Sequence, residues 1–237
     1  VKKFCTLLKK DLWTFCTHKV ICAITLIPPF LAVIFRLVID DPDLVLLTCG
    51  LFNMVLSSVY LHPLLIADEK ARGTLPLLFR SGVDENLFIG AKAAASVIQD
   101  IITAMVIFLI SGASLSLLPG YLLFNLLIMA TLLPCGLITA VFAKEENDTH
   151  VLSTPVMCIF YIPPVFAAWT SIFNAASLFL PTGAVGLILP ALSREYGYRE
   201  VSLMQALALC LIWFAAGIFV LYIIYRKRRC FFISSDR

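Results

Sequence analysis

With 237 residues, 61% of them hydrophobic and 14% charged, the chain is too apolar to cover itself with a polar surface, which excludes a water-soluble globular domain. Its mean hydropathy is +0.97. The net charge of +3 comes from Lys and Arg placed between apolar runs, so it reports orientation in a lipid bilayer and attraction to anionic headgroups; no nucleic-acid partner is expected.

A spanning helix needs about 20 apolar residues at about 1.5 Å each. Six runs reach that length, at 20–39, 44–67, 97–118, 121–142, 151–173 and 206–225. Isolated strands cannot satisfy their backbone in hydrocarbon, and no ten-residue alternating segments suggest a barrel. The expected fold is therefore an all-α membrane protein, one transmembrane domain over 1–237.

Residues 1–19 set Phe4, Leu7, Leu8, Leu12, Trp13 and Phe15 against Lys3, Lys9, Lys10, Asp11 and Lys19, the pattern of an amphipathic interfacial helix. They show no cleavable-signal pattern, so the first span is expected to act as its own insertion signal. That span contains Pro28-Pro29, which predicts a kink, and places Arg36 four residues before Asp40, a spacing that allows an ion pair.

The second span carries Asn53, Ser57 and Tyr60, with His62 toward the cytoplasm as a satisfied interfacial histidine. Polar groups at such depth face either another helix or a water-filled path. Where the span ends, Glu69-Lys70-Ala71-Arg72-Gly73-Thr74 forms a dense polar motif, and an apolar stretch resumes at Leu75, Leu77, Leu78 and Phe79. Glu69 and Arg72 are spaced to pair, Gly73 permits a tight reversal, and Thr74 is placed to cap a short helix.

Residues 84–96 are amphipathic and are expected to lie along the inner surface before the third span. Asp100 is either a functional acid or a group paired along the helical row of Lys92 and Ser96. Pro119-Gly120 turns outside, and 144–150 forms a polar loop inside. The fifth span is aromatic and proline-rich, with Pro155, Pro163, Pro164, Phe160, Tyr161 and Trp169. Residues 174–205, including Pro181, Gly183, Gly186 and Pro190, read as a re-entrant outer insertion, and 226–237 as a basic tail.

Six spans with an inner N-terminus put fifteen of the eighteen Lys and Arg inside and leave Arg36, Arg194 and Arg199 outside. Both termini are then cytoplasmic. Eight cysteines sit in or beside spans without metal spacing, so packing is their expected role and no metal site is expected.

The Glu69-Lys70-Ala71-Arg72-Gly73-Thr74 string resembles the E-K-x-R-G-T motif that follows the second membrane helix of ABC-2-type transporter permeases. Pro76 departs from the acidic or polar residue common there. The resemblance implies the permease subunit of an ATP-driven exporter in the plasma membrane. It also implies an N-terminal amphipathic helix, a coupling helix after the motif and a structured insertion before the last span. Glu69, Lys70, Arg72, Gly73, Thr74, Leu75 and Leu78 would couple to the ATPase, and Asn53, Ser57, Tyr60, Phe160 and Tyr161 would line the substrate path.

No G-x-x-x-x-G-K-[ST] loop occurs, so two copies of a separate ATPase are expected to bind ATP and Mg, with no cofactor on this chain. A second permease copy, making a homodimer, completes the implied assembly. The aromatic and uncharged polar path residues favour an apolar or amphipathic cargo such as a peptide, lipid or drug-like molecule. Two other classes stand beside this reading. One is an ion-coupled carrier or channel centred on Asp100, and the other is an intramembrane enzyme using Glu145, Glu146 and His150.

Overall fold

The structure, a computed structural model, describes residues 2–189 and 201–228. The amphipathic segment forms α1 (Lys2–Thr17), followed by α2 (Lys19–Val38). A 30-residue helix, α3 (Pro42–Ala71), leads to the short α4 (Leu75–Arg80). Next come α5 (Glu85–Ser111), α6 (Leu118–Phe142) and α7 (Glu146–Val165). A short α8 (Ser171–Ser177), a 3-10 turn (Pro181–Leu187) and α9 (Leu203–Arg228) complete the described chain, in which no strand occurs. Pro190, Arg194 and Arg199 of the expected insertion, and the tail beyond residue 228, lie outside the described residues.

Five helices are long and apolar enough to cross a membrane, namely α2, α3, α5, α6 with its lead-in from Leu115, and α9. The fifth expected span, 151–173, is not among them. Its helix runs instead over Glu146–Val165, begins with acidic residues and ends after Pro163-Pro164. Even so, α7 reaches from one end of the bundle to the other. Glu146 in its first turn meets His18 and Asp68, whereas the Phe160 carbonyl near its far end accepts from the Thr182 hydroxyl at 2.7 Å. The chain therefore changes ends between α6 and α9, and Leu221 of α9 packs with Leu7, Ile66 and Leu75 at the α1 end.

Other expectations shift for local reasons. Residues 84–96 are not a separate surface helix but the opening turns of α5, because Phe88, Ala91, Lys92 and Ala95 turn to the core at helical spacing. That helix stops seven residues short of 118, at Gly112, whose φ of +73° suits glycine. The 144–150 segment is only partly a loop, since Glu145 and Asp148 form a reciprocal capping box that starts α7 at Glu146. Pro28-Pro29 does not break α2. Arg36 does not pair with the Asp40 carboxylate; its Nη1 donates to the Asp40 carbonyl at 3.2 Å, satisfying chain left unpaired where α2 ends.

The bundle is built around α3, which is mostly buried, while α2 and α9 keep most of their apolar surface outward. Two π-helical turns, Leu46–Gly50 and Leu56–Leu61, widen α3. Gly136 of α6 packs directly against it, where an added Cβ would sit 2.1 Å from the Ser58 carbonyl oxygen. Backbone cannot yield as a side chain can. Gly136→Ala is expected to destabilise the fold at the upper end of about 1–3 kcal/mol, the range for overpacking. A melting temperature equal to that of the parent chain in detergent would contradict this close approach.

Candidate functional site

The polar motif lies at the α1 end of the bundle, with Glu69 buried, Lys70 and Thr74 half-buried, and Ala71, Arg72 and Gly73 exposed. Glu69 is only 3% exposed and is the hub. Its Oε1 accepts from Lys10 of α1 and from Lys92 of α5, the latter at 3.1 Å. Its Oε2 accepts from the Thr74 hydroxyl, which also donates to the Glu69 carbonyl at 3.1 Å. Thr74 thus closes the turn onto α3 and does not cap α4 with its side chain. Gly73, at φ +66°, lets the chain reverse between the two.

Lys92 is buried and also donates to Asp11 Oδ1 at 2.6 Å. Asp11 interrupts the inward row Leu7, Asp11, Phe15 of α1, so the amphipathic helix presents a carboxylate to the bundle. Burial pushes the Asp11 carboxyl above its ordinary range, and the Lys92 ammonium beside it pulls the other way. Asp11, Lys92, Glu69 and Lys10 make one alternating chain of charge across three helices. A buried charge is tolerated only when paired in this manner.

Glu69 and Arg72 do not pair, although their spacing allows it. Arg72 Nε donates instead to Asp68 Oδ1 at 2.8 Å, one turn back, because Glu69 is committed to the lysines. Lys70 donates to the Ala143 carbonyl at 2.7 Å and to the Ala140 carbonyl, satisfying the C-terminal end of α6. Lys3 of α1 donates to the Ser81 and Gly82 carbonyls, at 3.0 and 2.9 Å, and so holds the far end of α4. Both ends of α4 are therefore tied to the bundle.

Within α4, Leu75 is buried and Leu78 packs against the same inner cluster with Phe79. The surface it offers is made by Pro76, Leu77 and Arg80, with Leu77 64% exposed. Of the residues expected to couple to an ATPase, Glu69, Lys70, Thr74, Leu75 and Leu78 bond or pack within the bundle, and Arg72 and Gly73 are exposed.

Beside the motif, His18, Asp68 and Glu146 gather with ligand-capable atoms within 4.8 Å of one another, a grouping of metal-ligand types that the sequence spacing did not reveal. His18 Nδ1 accepts the Ile21 amide at 3.5 Å, and its Nε2 faces Asp68 Oδ1 at 3.8 Å.

The expected path residues are spread through the bundle. Asn53 and Ser57 are fully buried and bond to α5, with Asn53 Nδ2 donating to Asp100 Oδ1 at 2.6 Å and Ser57 Oγ donating to Gln99 Oε1 at 3.3 Å. Asp100 thus pairs with Asn53, not with the Lys92 row. Tyr60 bonds and stacks on His150 of α7. Tyr161 meets Phe52 edge-on at 5.2 Å between centroids, and Phe160 meets Trp213 at 5.0 Å. His62 is buried against the bundle, and its Nδ1 has no partner, so it is not fully satisfied.

Comparison with protein families, curated proteins and solved structures finds no match. On architecture alone the chain is a helical protein with five long apolar helices, consistent with a multi-pass membrane protein.

Proposed function

We propose that this chain is the permease subunit of an ATP-driven exporter, working in the plasma membrane as one of two copies with a separate pair of ATPases. The observation that carries this reading is α4. A short helix held at the end of a membrane bundle, fastened at one end by Thr74 to Glu69 and at the other by Lys3, moves with α1, α3 and α5 as one piece. A partner that pushes on Pro76, Leu77 and Arg80 would thereby act on the spans themselves. Coupling uses the motif as internal bracing and the α4 surface as the contact.

The outward apolar surfaces of α2 and α9 support contact with lipid and with a second copy. Aromatic and uncharged side chains at Tyr60, Phe160 and Tyr161 support an apolar or amphipathic cargo, a peptide, lipid or drug-like molecule, moved outward. Both termini lie on the cytoplasmic side in this arrangement.

Leu77→Asp tests the reading, because it changes only the exposed centre of α4. Co-purification of the chain with its ATPase is expected to be lost in this variant while the membrane fraction and melting temperature stay those of the parent. Undiminished ATPase capture would remove α4 as the docking helix. An ion-driven carrier, the second reading, draws on the buried Asp100, and cargo transport in proteoliposomes lacking any ATPase would select it.

A further inference from the structure

In the middle of the bundle α3, α5 and α6 bring together a cluster of buried polar side chains apart from the α4 motif. Asp100 of α5 is fully buried, and the Asn53 amide occupies its Oδ1 while Thr103 Oγ1 donates to Asn53 Oδ1 at 2.7 Å, fixing the amide. The carboxyl's other neighbours, Ser57 and Asn125, are neutral, and no basic group stands among them. Asn125 of α6 is fully buried and its side chain hydrogen-bonds this carboxyl, while its amide oxygen has no partner. The Tyr121 hydroxyl, one turn earlier on α6, is likewise buried without a partner. It reaches inward over Gly50, where any Cβ would stand 2.7 Å from it. Ser57 completes the cluster beside the carboxyl. The two π-helical turns of α3 lie on either side of Asn53, the kind of helix defect that recurs at binding sites.

Buried polar atoms are nearly always bonded, so the unpaired Tyr121 hydroxyl and Asn125 amide oxygen beside an uncompensated carboxyl point to a ligand. The charge count narrows what that ligand is. Among the described residues no Lys, Arg or His forms an ion pair with Asp100, and Lys92, two turns toward the motif, is committed to Asp11 and Glu69. One carboxylate in an apolar interior is neutralised by one positive charge, whereas a divalent ion would leave a net charge behind. The available ligands are hard oxygens, from a carboxylate, an amide and hydroxyls, with no thiolate or imidazole among them. We propose that Asp100, Asn125, Tyr121 and Ser57 hold one monovalent alkali cation of the sodium class, which joins α3, α5 and α6.

This site is independent of the ATPase reading, since cation binding is measured on the chain alone. The full-length chain in detergent is melted by tryptophan fluorescence in sodium, potassium, lithium or N-methylglucamine chloride at constant ionic strength. The melting temperature is expected to rise saturably with one alkali cation and not with N-methylglucamine, as for a ligand bound only by the folded state. Asp100→Asn keeps the shape and removes the charge, and is expected to abolish the cation response while still melting cooperatively. Asn125→Ala is expected to weaken the apparent affinity about tenfold, the loss of one ligand to a charged group. Identical melting in all four salts would overturn the proposal, as would an undiminished sodium response in Asp100→Asn. A response to pH with no cation preference would also overturn it, leaving a proton as the occupant.

Discussion

Lys92→Met is expected to destabilise the folded chain by about 3–5 kcal/mol, the cost of stripping a buried ion pair of its counter-charge. Asp11 depends on Lys92 for its short contact, and Glu69 shares Lys92 with Lys10. Both carboxylates are almost fully buried, so solvent cannot replace the missing ammonium. The deficit is read as a lower melting temperature in detergent. A second variant separates this cause from lost packing of the long side chain over Phe88. In Asp11→Leu with Lys92→Met, the orphaned carboxylate is gone and Glu69 keeps Lys10, so most of the loss is expected to return. Strictly additive effects of the two substitutions would show that Asp11 and Lys92 do not act as a pair.

Glu69→Ala is expected to abolish cargo-stimulated ATP hydrolysis in a reconstituted complex while subunit assembly stays measurable. Under the proposed permease reading the contact is the exposed face of α4, which does not include Glu69, so binding should survive. What goes is the linkage, because the one carboxylate that receives Thr74, Lys10 and Lys92 together is removed. The α4 helix would then move without carrying α1 and α5. Glu69→Gln retains an acceptor for Thr74 but no charge for the lysines, and an intermediate loss is expected of it. Full stimulation in Glu69→Ala would exclude Glu69 from coupling whatever its contribution to stability.

The motif was legible from its position, since a polar string between two apolar runs can lie only where the chain leaves the membrane. The burial of Glu69 was not. The spacing of Glu69 and Arg72 suggested a local pair, but helical spacing states only which groups can meet, and the lysines arriving from α1 and α5 meet Glu69 first. Asp11 looked like one charge among the lysines of an amphipathic helix, yet it sits four residues from both Leu7 and Phe15 on the buried row. That i, i+4 placement was the readable hint. Nothing comparable pointed to His18 with Glu146, or to Asn125 with Asp100, because those pairs come from helices distant in sequence.

By itself the sequence determined what depends on composition and period. The chain is helical and apolar, and a short helix follows a polar turn at Gly73, because lipid admits only backbone that bonds within its own segment and left-handed turns favour glycine. Tertiary structure alone decided which charge meets which, that α5 begins at Glu85, that α3 carries two π-helical turns, and which residues of α4 face outward. Those outcomes follow from how α1, α3, α5 and α6 pack. A buried charge takes the partner that packing brings within reach, and neighbours in sequence are only some of the candidates.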